Sequence, residues 1–206
     1  SALLTDMSQP LARSAGNALE VGEALGILRG DNGDARLMEV TFALGAEVMM
    51  LGGLAENAAA ARAALAKSIA TGAAAERFAR MVRCLGGPAD LLEDPKRHLA
   101  VAPVIADIPA PREGFVTAID TRAIGFAVVA LGGGRTSPSQ AIDPAVGLDR
   151  LVPLGAQIRA GEPLARVHAA TAESARQAAQ SVARAYTIGE SAAAAAELIQ
   201  HIEPHT

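Results

Sequence analysis

The hydrophobic period of this chain changes once, near residue 100, and that change limits the folds open to it. Before it, apolar residues recur at helical spacing: Leu19, Val21, Ala24, Leu25 and Leu28 ahead of Gly30, then Leu37, Val40, Leu44, Val48 and Leu51 ahead of Gly52 and Gly53. Residues 57–70 and 73–85 continue in the same way, separated by Thr71-Gly72 and closed by Gly86-Gly87-Pro88. After it, residues 114–120, 125–131, 156–159 and 163–168 read as short strands divided by glycine and proline, with a helix over 171–185 and an alanine-rich terminal helix over 191–199. Pro103, Pro109 and Pro111 fix φ and favour extended chain between the two halves. The sequence therefore divides into a mostly helical part over 1–100, a proline-bearing linker or edge crossing over 101–113, and a compact β-rich, barrel-sandwich-like α+β unit over 114–206.

A short apolar run, Ala2, Leu3 and Leu4, opens the helical part and reads as a buried parallel strand. Asp6, Ser8, Gln9 and Pro10 then make a polar turn before the first helix. In open α/β sheets ligands bind outside the carboxyl ends of the strands, so this turn is a candidate site. The expected fold class is thus α/β, a strand plus a helical layer belonging to a larger domain, followed by the α+β unit.

Composition removes several functions. The net charge is −4 and aromatics are 2% of residues, so neither a basic surface for phosphate backbones nor platforms for base stacking are expected. No apolar run reaches the roughly 18 residues that span a bilayer, and the cytoplasm is the expected compartment. The one cysteine, Cys84, excludes an internal disulfide and reads as a small buried thiol. The four histidines lack ligand-like spacing, and no metal is assigned. Asp120 and Asp143 read as turn caps. The turn over 154–164 is similar to those of biotinyl and lipoyl carriers, but no lysine follows Lys96 to carry the cofactor.

Gly132, Gly133, Gly134 and Arg135, followed by Thr136, Ser137, Ser139 and Gln140, form a second candidate. Glycines let backbone N–H groups converge on an anion, and an arginine pairs with one. The segment lacks the Lys-Ser/Thr ending of a P-loop. It reads either as a loop joining a strand to a turn or as a mobile closing element.

Two ordered blocks carry a family resemblance. Thr5-Asp6-Met7-Ser8-Gln9-Pro10-Leu11 with Gly16-Asn17-Ala18-Leu19-Glu20-Val21 resembles the thymidine and pyrimidine-nucleoside phosphorylases. So do Gly114-Phe115-Val116, Ile119-Asp120-Thr121-Arg122-Ala123-Ile124-Gly125, Val128-Val129-Ala130-Leu131-Gly132-Gly133-Gly134-Arg135, Ile142-Asp143, Val146-Gly147 and Val167-His168-Ala169, in the same order. The resemblance weakens after about Arg184. Asp120-Thr121-Arg122-Ala123 and Ala127-Val128-Val129-Ala130 favour the thymidine branch.

The resemblance implies the carboxyl-terminal portion of a glycosyltransferase that phosphorolyses thymidine. Its implied substrates are a pyrimidine nucleoside and inorganic phosphate, with no cofactor, and the family forms homodimers. In that family the phosphate-binding segment and the pyrimidine-gripping His, Arg, Ser and Lys precede the Thr-Asp-Met block. No residue of this chain is therefore assigned a catalytic role, and the chain alone is expected to be inactive. Thr5, Asp6, Met7 and Gln9 are expected to border the substrate cleft, and Gly132, Gly133, Gly134 and Arg135 to close it. Some pyrimidine-branch relatives bind a cation partly through carbonyls of the helix corresponding to residues 40–53, but no matching carboxylate is placed here. The alternatives are an independently folding, non-catalytic binding or assembly module, and a nucleoside-monophosphate phosphorylase relative.

Overall fold

The computed structural model describes residues 1–31, 33–192 and 196–202. Its chain order is β1 (Ala2–Thr5), α1 (Asn17–Leu28), α2 (Ala35–Leu51), α3 (Ala58–Ala70), α4 (Ala73–Cys84), α5 (Pro95–His98), β2 (Val104–Pro109), β3 (Gly114–Ile119), α6 (Thr121–Val128), β4 (Gly147–Asp149), β5 (Gln157–Ile158), β6 (Pro163–Ala169), α7 (Ala172–Ala185), β7 (Tyr186–Gly189) and β8 (Ile199–Ile202). Two compact units emerge. One comprises residues 1–6, 22–98 and 197–206, the other 7–21 and 99–196.

In the first unit the helices begin and end where their local chemistry dictates. Asp34 caps α2 by accepting from the N–H groups of Arg36 and Leu37, and Asn57 caps α3 through Ala60 N–H. Helix α2 packs on α3, with Val40, Ala43, Ala46 and Ala61 buried and Arg62 bridging to Glu39 across the surface. The core is thin: among the described residues of this unit Leu25 and Leu92 are also buried, and alanine fills half of the buried positions. Helix α4 buries no residue completely, and Cys84 is exposed beside the exposed Met81 and Leu85, not buried as expected.

Strand β1 also departs from expectation. It is neither parallel nor buried: it pairs antiparallel with β8, Leu3 opposite His201 and Thr5 opposite Ile199, and three of its four residues are exposed. The terminal helix expected over 191–199 partly falls on residues 193–195, which lie outside those described. The described residues around them are not helical, and Ile199 already belongs to β8.

The second unit holds the large core. Two open three-stranded antiparallel sheets, ordered β2-β6-β4 and β5-β3-β7, enclose it with α6 and α7. Strand β6 is central and buried on both faces, with Leu164, Ala165, Val167 and Ala169 fully excluded from solvent. Strand β2, inside the proline-bearing stretch, lies at a sheet edge where proline is tolerated. Thr171 and Ser174 form a reciprocal cap for α7, which turns Ala175, Ala178, Val182 and Ala185 inward.

Residues 125–131, expected to be a strand, instead continue α6 and a π turn over Val129–Gly133. Asp120 accepts from Ala123 N–H and starts the helix, as a cap was expected to do, and Ile124, Ala127, Val128 and Leu131 become its buried face.

Tyr186, the sole tyrosine, is buried and donates its hydroxyl to the Val152 carbonyl at 3.1 Å. Burial pushes its phenol well above the ordinary value of 10.0. Below that value the phenol is protonated in both folded and unfolded chains and contributes no pH dependence. Above it the unfolded chain loses the proton first, so stability falls with rising pH by about 1.4 kcal/mol per pH unit from this group. Urea unfolding above pH 10 checks this: Tyr186→Phe is expected to flatten that decline, and an unchanged slope would contradict it.

Candidate functional site

The two candidate segments are positioned by different hydrogen-bond sets. Thr5 ends β1 and is exposed. Asp6 follows it, with its N–H donating to Leu198 O and its carboxylate held by Arg36, Nη1 to Oδ2 at 3.2 Å. The same guanidinium donates through Nη2 to the Asp6 carbonyl at 3.0 Å. Both side chains are mostly buried, at 19% and 13% exposure, so the pair is shielded from screening by salt. A carboxylate clamped in this way anchors the end of β1 to α2.

Within the second unit, residues 7–18 act as a strap. The Met7 carbonyl accepts from Thr121 Oγ1 at 3.0 Å while its side chain stays 73% exposed. Gln9 Oε1 accepts from Leu154 N–H at 3.0 Å. Farther along, Arg13 O accepts from Leu151 N–H, Ala15 exchanges both backbone bonds with Leu148, and Ala18 N–H donates to Pro144 O. Gly16 and Gly147 cross backbone to backbone. A Cβ on Gly16 would stand 2.6 Å from Val146 O and 2.9 Å from Gly147 Cα. Gln9 is thus committed to fastening the strap.

The glycine segment follows a helix, α6, and does not join a strand to a turn. Gly132 takes φ +98°, a left-handed backbone that suits glycine, and its carbonyl accepts from Asp143 N–H at 2.9 Å. Asp143 in turn accepts from Ala145 N–H, the local turn chemistry expected of it. Gly133 packs where a Cβ would meet Val128 Cγ1 at 2.8 Å, and its carbonyl accepts from Asn17 Nδ2 at 3.0 Å. Arg135 is exposed, and Thr136 donates from both N–H and Oγ1 to Gln140 Oε1.

Two residues outside the predicted site set therefore matter to its geometry. Asn17 brings the strap onto the glycine segment, and Thr121 fixes the Met7 backbone. Asn17 stands at the first turn of α1 immediately after a glycine, which was the available signal; nothing local pointed Thr121 at Met7.

Within the second unit the arrangement leaves the side chain of Met7 exposed, and Arg135 is exposed as well. Asp120 and Asp143 are occupied as caps. His168 is buried with Nε2 3.3 Å from Asp149 Oδ2. No group of three metal-ligating side chains occurs among the described residues, and no described helix is long and apolar enough to cross a membrane.

Residues 115–189 match the pyrimidine nucleoside phosphorylase C-terminal domain, a span that runs from β3 to β7. Along 203 residues the chain is 53% identical to a thymidine phosphorylase of Burkholderia cenocepacia strain HI2424, covering 98% of this chain and 46% of that protein. A thymidine phosphorylase of Mesorhizobium japonicum is 50% identical over 195 residues, 95% of this chain and 44% of the relative. One of Rhizobium meliloti is 46% identical over 190 residues, 92% and 43% respectively. The chain spans a little under half the length of the relatives it matches.

Proposed function

We propose, from the premise that this chain belongs to the pyrimidine nucleoside phosphorylase family and represents its carboxyl-terminal portion, that it supplies half of a thymidine phosphorylase. The whole enzyme catalyses reversible phosphorolysis. A phosphate oxygen attacks the anomeric carbon of thymidine, the bond from that carbon to the pyrimidine nitrogen breaks, and its electron pair leaves with the base. Thymine and 2-deoxy-D-ribose 1-phosphate result. An oxocarbenium-like transition state requires phosphate held against the sugar and stabilisation of charge on the departing base.

The observation that carries this reading is the 53% identity over 98% of the chain to a thymidine phosphorylase. In this reading Thr5, Asp6, Met7 and Gln9 border the cleft. Asp6, already clamped by Arg36, shapes the wall and does not exchange protons with substrate. Gly132, Gly133, Gly134 and Arg135 close on the bound substrates, with Arg135 the group suited to an anion. The working form is a cytoplasmic homodimer that needs phosphate as co-substrate and no metal.

In this reading the chain alone performs no phosphorolysis, because the resemblance assigns phosphate binding and the grip on the pyrimidine to residues ahead of the Thr5-Asp6-Met7 block. Incubating the purified chain with thymidine and phosphate is expected to release no thymine above the enzyme-free control. Phosphate-dependent release by this chain alone would overturn the assignment of the chemistry to the preceding half.

A further inference from the structure

Within the first unit a groove of about 610 Å³ lies between α4, the turn that follows it and the end of α1, a volume in the range of small-molecule sites. Its floor is Ala79 of α4 and the buried Leu92, and the short alanine side chain leaves the space open. Glu76 and Arg83 line it from either side of Ala79, on one face of α4 and about 10 Å apart along the helix axis. Glu93 and Arg29 line it from the other elements, and Arg29 Nη1 donates to Leu92 O at 3.4 Å. Two carboxylates and two guanidinium groups therefore share one groove, yet among the described residues Glu76, Arg83 and Glu93 make no hydrogen bond or ion pair. The dipole of α4 suits Glu76 in its first turn and Arg83 in its last, which explains their signs and leaves both side chains unengaged.

The four lining charges sum to zero, so the groove offers neither an anion nor a cation a net field. What it offers is acceptors and donors side by side over an apolar floor. A carboxylate accepts from a ring N–H, and a guanidinium donates to a ring carbonyl. A pyrimidine dione carries that set on one edge, an N–H between two carbonyls, and a flat face besides. We infer that this groove binds a pyrimidine base of the thymine type, with its ring on Ala79 and Leu92, its carbonyls toward Arg29 and Arg83 and its N–H groups toward Glu76 and Glu93. The choice of a pyrimidine rests on the reading that the chain is half of a thymidine phosphorylase, which releases that base.

Thymine titrated into the full chain, followed by calorimetry and by backbone amide NMR, is expected to bind saturably and to shift amides of residues 75–93. Inorganic phosphate is expected to move none of them. Ala79→Phe fills the floor and is expected to weaken thymine binding at least tenfold. Glu76→Gln together with Arg83→Met leaves the floor open and is expected to weaken it at least fivefold; both positions are exposed, so this variant keeps its fold by circular dichroism. Absence of saturable thymine binding, binding that either variant leaves intact, or phosphate shifts equal to those of thymine overturns the inference.

A fusion of the unmatched preceding half of the Burkholderia cenocepacia thymidine phosphorylase ahead of Ser1 separates the groove from the functional reading. Thymine binding that Ala79→Phe removes from the chain, without phosphate-dependent thymine release by the fusion, would sustain the groove and sink the functional reading. Thymine release by the fusion, with no thymine binding to the chain, would do the reverse.

Discussion

A single methyl group at Gly147 is expected to unfasten the strap from the second unit. In the Gly147→Ala chain the new Cβ would press into the Ala15 carbonyl oxygen and stand 3.0 Å from both Gly16 Cα and Leu19 Cδ1. Two of these neighbours are backbone atoms held by the reciprocal Ala15–Leu148 bonds, at 2.8 and 2.9 Å, and backbone cannot swing aside as a side-chain tip does. The φ of +156° adds conformational strain for an L side chain. Combining overpacking with strain, the expected loss is about 3–5 kcal/mol, a large part of the stability of an ordinary domain.

Urea unfolding measures that loss, and hydrogen exchange over residues 7–18 tells detachment of the strap from global unfolding. Gly155→Ala is the control. Its φ is +79° but no atom lies within 4 Å of the added Cβ, so only the backbone cost of about 1 kcal/mol is expected. Equal losses at the two positions would show that the close crossing of Gly16 and Gly147 is not what makes the position sensitive.

A comparable loss is expected from Val167→Asp. Val167 is 0% exposed at the centre of β6, opposite Ala106 on one side and Leu148 on the other. A carboxylate there must either stay charged away from water or take up a proton with its polar oxygens still lacking an arranged partner. The expected cost is at least about 4 kcal/mol, carried by desolvation more than by lost methyl contacts. Gln157→Asp, on an exposed position of β5, makes the same chemical insertion and is expected to change stability by no more than about 0.5 kcal/mol. Thermal melts of the two chains side by side check it, and similar melting temperatures would contradict the placement of β6 at the heart of the unit.

Much of the helical layout was legible because its signals are local. Asp34 and Asn57 precede their helices, glycines follow α2 and α4, and the 3.6-residue period is long enough in each to be read without neighbours. Residues 125–131 are helical although their sequence also suits a strand. Phe126-Ala127-Val128-Val129-Ala130-Leu131 is a short apolar run rich in β-branched residues, and such runs fit strand or buried helix equally. The helical signal lay one step outside it, in the Asp120 cap and the i, i+3, i+4, i+7 series Ile124, Ala127, Val128 and Leu131.

Cys84 was placed inside because its helix has an apolar ridge, but burial requires something to cover the ridge, and none of the described elements does so completely. The candidate cleft residues were found by motif, whereas their restraints came from distant chain. Arg36 is 30 residues from Asp6, Thr121 is 114 from Met7, and Leu154 is 145 from Gln9.

The amino-acid sequence by itself determined where α2 and α3 start and stop and which family the chain resembles, because caps, period and motif are properties of neighbouring residues. Only the tertiary structure decided that β1 runs antiparallel to β8, that Gln9 and Asn17 fasten a strap to the core-bearing unit, and that Gly16 must meet Gly147. Those outcomes depend on hydrogen-bonding partners and excluded volume contributed from more than 100 residues away, and no local pattern encodes which partner arrives.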